Sequence, residues 1–66
     1  MKNNIRVLRA SRRMTQEELA RLAGVSRQTV NAMESSRYVP STILALKVAR
    51  IFGMSVDEVF TLEEGD

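Results

Sequence analysis

Between Ser26 and Asn31 the chain carries a run of hydrogen-bonding side chains. Arg27, Gln28, Thr29 and Asn31 follow closely, and no acidic residue interrupts them before Glu34. Arg27 can donate two bonds to guanine O6 and N7, and Gln28 and Asn31 can pair with adenine N6 and N7. Thr15 and Thr29 add hydroxyls suited to phosphate oxygens. The alternative is a solvated polar face with no ligand. Catalysis is poorly served by comparison. There is no His and no Cys, which excludes a Ser-His-Asp triad, cysteine nucleophiles and the common zinc or iron–sulfur ligand sets. Asp57 and Glu58 are adjacent carboxylates, but a helix start explains them. The expectation is a non-enzyme with no catalytic residue, no metal, no cofactor and no evident small-molecule ligand.

Charge is unevenly spread. All ten bases lie in residues 1–50, where only Glu17, Glu18 and Glu34 oppose them, leaving +7. Residues 51–66 carry five acids and no base. A basic body with an acidic end suits a polyanion partner at one face. The 66 residues are enough for one small domain. At 44% apolar and 27% charged the chain reads as globular. No apolar run approaches the roughly 20 residues of a membrane span, and Met1-Lys2-Asn3-Asn4 does not open a signal peptide. The expected compartment is the cytoplasm.

Positioning of those side chains falls to short helices. The punctuation predicts five. The first covers about Asn4 to Arg13, with Ile5 and Leu8 facing a core and Arg6, Arg9 and Arg13 forming a second stripe. Thr15 and Glu18 form a capping box that opens a helix over about Gln16 to Ala23, with Leu19, Ala20, Leu22 and Ala23 as its apolar face. Gly24 ends it. Ser26 caps a third helix, about Arg27 to Ser35, buried through Val30 and Met33. After a loop, Ser41 caps a helix from about Thr42 to Phe52, carried by Leu44, Val48, Ile51 and Phe52. Gly53 stops it. Ser55 and Glu58 open a last short helix to about Phe60. Two helices joined by a tight glycine turn over residues 16–35 have helix-turn-helix geometry, although a plain structural corner would look the same.

Here the motifs become specific. Thr15-Gln16-Glu17-Glu18-Leu19-Ala20, Gly24-Val25-Ser26-Arg27-Gln28-Thr29-Val30 and Met33-Glu34 resemble the Cro/CI-type (Xre) helix-turn-helix family. Tyr38-Val39-Pro40-Ser41, Leu44 to Ala49, Gly53 and Ser55 to Phe60 extend the resemblance over about residues 4–60. It is greatest to the short stand-alone regulators, including the cytolysin-repressor type. The resemblance implies an all-α, five-helix, phage-repressor-like DNA-binding domain over residues 1–66. In that subgroup the termini form a small antiparallel β element, here Met1-Lys2 with Thr61-Leu62. It implies base contacts from Arg27, Gln28 and Asn31. Backbone contacts fall to Thr15, Gln16, Ser26, Thr29, Arg37 and Tyr38. Capping alone also accounts for Thr15, and packing on Pro40 for Tyr38. Family members pair Arg9 with Glu34, which would hold the third helix against the first; otherwise these are two solvated charges. Many members carry a glycine after the third helix, where this chain has Ser35-Ser36. A left-handed residue there would cost more as serine.

The function implied is a sequence-specific regulator of double-stranded DNA, most often a repressor, binding a pseudo-palindrome as a homodimer. A twofold dimer places its reading helices in successive major grooves. The dimerisation end is expected at about residues 54–63, through an exposed patch of Val56, Phe60 and Leu62. Otherwise Val59 and Phe60 simply close the core. The alternative function is an antitoxin or another interaction module whose main ligand is a protein, and the fold cannot separate the two.

Overall fold

A computed structural model describes residues 1–66. Its elements are β1 (Lys2–Asn3), α1 (Ile5–Ser11), α2 (Gln16–Ala23), α3 (Arg27–Glu34), α4 (Thr42–Ile51), α5 (Val56–Val59) and β2 (Phe60–Thr61). Every helix contributes to one apolar core. Ile5, Leu19, Val30, Val48 and Val59 are fully hidden, and Met33 and Phe52 nearly so. No helix is long and apolar enough to cross a membrane.

Local chemistry sets the helix starts. Thr15, Ser26 and Ser41 adopt extended backbone, and each hydroxyl accepts the N–H three residues on, from Glu18, Thr29 and Leu44. This satisfies one donor of each exposed first turn. At α5 the Glu58 carboxylate accepts both the Ser55 N–H, at 2.9 Å, and the Ser55 hydroxyl, at 3.1 Å. At α2 only half the expected box forms: Thr15 Oγ1 accepts the Glu18 N–H at 3.0 Å, with no return bond.

Four helices share one ending. The C′ residue is left-handed and its N–H bonds back to the second-last turn position, while the next N–H bonds one residue further back. In α2 these bonds are Gly24 to Arg21 and Val25 to Ala20; in α4 they are Gly53 to Arg50 and Met54 to Ala49. In α1 they are Arg13 to Ala10 and Met14 to Arg9; in α3, Ser36 to Met33 and Arg37 to Ala32. Gly24 and Gly53 have φ of 73° and 66°, but Arg13 and Ser36 are also left-handed, at 52° and 61°. Thus the position expected to favour glycine after α3 is Ser36. Arg13, expected to continue the α1 stripe, lies past the helix end, so that stripe is only Arg6 and Arg9.

Several side chains depart from their expected places. Leu22 is 48% exposed, because Leu19, Ala20 and Ala23 already fill the buried face of α2. Ile51 is half-buried beside the fully hidden Val48. The terminal strands pair antiparallel with Lys2 opposite Thr61 and Asn3 opposite Phe60, one residue inside the expected Met1-Lys2 and Thr61-Leu62. Phe60 is 6% exposed and belongs to the core. It begins β2, with φ −116° and ψ 140°, so its side chain does not follow the helical spacing from Val56. The expected exposed patch therefore loses its central member. Val56 is half-buried, and Leu62 is 78% exposed in the tail.

Candidate nucleic-acid interface

Helix α3 is buried along one edge only. Val30 and Met33 anchor it, which leaves Arg27, Gln28 and Asn31 exposed. These three, with Ala32 and Arg37, line a shallow groove. Thr29 is half-buried, and its hydroxyl lies 3.0 Å from Ser26 Oγ. Both hydroxyls therefore serve the start of α3. A neighbouring hollow is lined by Arg9, Thr15, Gln16, Glu17 and Arg27. It brings the α2 N-terminus beside the first residue of α3. Free N–H groups and the helix dipole favour an anion at such a terminus. Arg37 and Tyr38 follow α3 and are exposed.

A charged cluster fixes α3 from behind. The Glu34 side chain is fully hidden, and that of Arg9 is 15% exposed. Arg9 donates to both carboxylate oxygens, through Nε to Oε2 and through Nη2 to Oε1 at 3.1 Å. Its Nη1 donates to the Met14 carbonyl at 2.8 Å. Arg6 Nε stands 3.6 Å from Glu34 Oε1. Two-pronged pairing of this kind is strong and directional. The expected pair is therefore a real contact between α1 and α3. Burial pushes the Glu34 carboxyl up, but the bonds from Arg9 and Gln16 and the charges of Arg9 and Arg6 outweigh it, so the group is held below its ordinary range.

Gln16 is part of this cluster, which the residue pattern did not show. Its Nε2 donates to Glu34 Oε1 at 3.1 Å. Two further contacts were invisible in the sequence. Arg12 donates to the carbonyls of Ile51 and Phe52 at 3.0 and 2.6 Å, and its guanidinium lies 5.3 Å from the Phe52 ring centroid. It thereby satisfies the exposed end of α4. Asn3 Nδ2 donates to the Met33 carbonyl at 2.8 Å, tying β1 to the end of α3.

The helix-turn-helix family profile matches residues 5–59, nearly the whole chain. The chain belongs to the Cro/CI-type (Xre) helix-turn-helix family. It is 50% identical over 64 residues to YgzD of Bacillus subtilis, an uncharacterized HTH-type transcriptional regulator, with 97% of each chain covered. An uncharacterized HTH-type transcriptional regulator of Methanocaldococcus jannaschii is 44% identical over 66 residues, covering both chains completely. Among solved structures, the restriction-modification controller protein C.AhdI of Aeromonas hydrophila superposes with a TM-score of 0.77. That match has 32% identity and covers 85% of each chain. The protein is thus a transcriptional regulator with a helix-turn-helix DNA-binding domain, in a non-enzymatic family.

Proposed function

We propose that this regulator is a repressor that reads a pseudo-palindromic operator as a homodimer, acting in the cytoplasm by occupying promoter DNA. The observation that carries the reading is the exposed face of α3. Arg27, Gln28 and Asn31 project from a helix whose position is held by Val30, Met33 and the Glu34 cluster. Donors there suit base edges, and Arg27 suits guanine most directly. Thr15, Gln16, Ser26, Thr29 and Tyr38 border this face as phosphate contacts, which set register without reading sequence. For Gln16 this means exchanging or sharing its bond to Glu34.

The subunit contact is assigned to the α4–α5 end, shifted from the residues first expected. Ile43 and Leu46 on α4 are 68% and 56% exposed. With Met54 and Val56 they line an open apolar groove, edged by Lys47 and Arg50. Asp57 and Glu58 lie on the next helix. In a twofold contact, the bases of α4 in one protomer would face the acids of α5 in the other. Such self-complementarity is what an isologous interface requires.

In vitro selection of random duplexes at about 150 mM salt, where non-specific binding is weak, tests the reading. A two-fold symmetric site is the expected product. Sedimentation of Leu46→Glu should then show a folded monomer with much weaker operator binding. Selection that returns no preferred sequence would reject the DNA-reading assignment and favour a partner protein as the main ligand. An intact Leu46→Glu dimer would move the subunit contact elsewhere.

A further inference from the structure

We propose that Arg37 is a specificity-determining residue: it orients the Asn31 amide so that this part of α3 selects guanine over adenine. The inference rests on α3 being the DNA-reading helix. The left-handed Ser36 follows the end of α3, and the Arg37 side chain returns along the helix. Arg37 Nε donates to Ser35 Oγ at 2.8 Å, and Nη2 donates to Asn31 Oδ1 at 2.8 Å. Ser35 Oγ in turn donates to the Asn31 carbonyl at 3.0 Å. Arg37 is therefore held at two points against one turn of α3.

The chemistry of the pair sets the outcome. A guanidinium only donates, so the amide oxygen must face it and Nδ2 must face away. Asparagine reads adenine by accepting from N6 through Oδ1 while donating to N7 through Nδ2. With Arg37 in place, one of the two acceptor positions of Oδ1 is taken and the guanidinium stands beside the other. An adenine N6 amino group approaching there would meet other N–H donors. Guanine offers N7 and O6, two adjacent acceptors. Asn31 Nδ2 and the remaining N–H groups of Arg37 match both. The pairing of Asn31 with adenine expected from its side chain alone is thus reversed by a residue outside the helix. The same contact draws Arg37 away from a purely phosphate role.

Selection with four proteins tests this: wild type, Asn31→Ala, Arg37→Ala and Arg37→Lys. Asn31→Ala identifies the base pair read by position 31 as the one whose preference is lost. Wild type should select guanine there. Arg37→Ala should shift that one position toward adenine by roughly tenfold in relative affinity, within the range of a single two-bond contact. Arg37→Lys keeps the charge but loses the planar fork, and should shift the same way. Circular dichroism checks that each variant is folded. If Arg37→Ala weakens binding equally at every sequence and keeps guanine, Arg37 contacts phosphate only and the inference is overturned. Adenine selected by wild type at this position would overturn it as well, while leaving α3 as the reading helix. A wild type that selects nothing would instead remove the function on which the inference rests.

Discussion

Helices α2 and α4 end on glycine; α1 and α3 end on arginine and serine in the same left-handed conformation. The difference lies in what holds each turn. Around Gly24 and Gly53 an added Cβ would meet nothing within 4 Å, and no side chain bonds to either glycine, although Arg12 satisfies the Ile51 and Phe52 carbonyls just before Gly53. Around Arg13 and Ser36, side chains hold the turn. Arg9 accepts the Met14 N–H with its carbonyl and donates to the Met14 carbonyl with its guanidinium, bracketing Arg13. Ser36 Oγ donates to the Met1 carbonyl at 2.9 Å. The Arg9–Glu34 pair joins the two helices concerned. A left-handed residue can be something other than glycine where neighbouring contacts over-determine the backbone.

Removing the brace should produce the largest effect. Arg9→Ala leaves the hidden Glu34 carboxylate without its main partner, at a cost of roughly 3–5 kcal/mol. A chain of this size has a total stability of roughly 3–10 kcal/mol. Thermal denaturation should therefore find the variant largely unfolded or close to it. An unchanged melting temperature would mean that the two non-glycine turns stand without the pair.

Acid should weaken the same brace. Because the Glu34 pKa is lowered on folding, its contribution is fully present above the ordinary value of 4.5 and is lost as pH falls through the folded value. Glu34→Gln should be less stable than wild type at neutral pH, and the gap should narrow below about pH 4.5. Parallel stability curves across that range would show that Glu34 does not govern the acid response.

The glycine turns should respond more modestly. In Gly24→Ala the added methyl has room, so only the left-handed backbone is penalised, by roughly 1–2 kcal/mol. This corresponds to a fall in melting temperature of roughly 4–16 °C. The reverse change at α1, Arg13→Gly, should be the smallest. Relief of strain is partly offset by the greater freedom of glycine in the unfolded chain, for a gain below about 1 kcal/mol. A large stabilisation would mean that Arg13 is strained despite its neighbours, and the contrast between the turns would fail.

The sequence made the helix borders legible because capping is local. Thr15, Ser26, Ser41 and Ser55 stand at the starts expected of them, and Gly24 and Gly53 at the ends. Exposure of Arg27, Gln28 and Asn31 was legible because Val30 and Met33 left no other face to bury. What was missed depends on where the chain goes after a helix ends. Phe60 is expected in an exposed patch with Val56, but α5 is a single turn and the backbone is already extended at Phe60, which turns its ring into the core. Arg37 meets Asn31 across a spacing that no helix produces, through a turn at Ser36. The half-buried Gln16 required knowing that α2 and α3 cross beside Glu34.

The two-residue ribbon bears on how the chain folds. Lys2 pairs with Thr61, so almost the entire polypeptide is the loop that this contact closes. The helices form from neighbouring residues and are quick to assemble, whereas a contact between opposite ends must wait until the helices have drawn those ends together. The ribbon should therefore be a late event in folding. A two-residue pairing is also inexpensive to open, so it should be an early event in local unfolding. Native-state hydrogen exchange should find the Asn4 amide, bonded to the Val59 carbonyl at 2.9 Å, less protected than the amides of α4. Equal protection would make the joined termini part of the same cooperative unit as the helices they enclose.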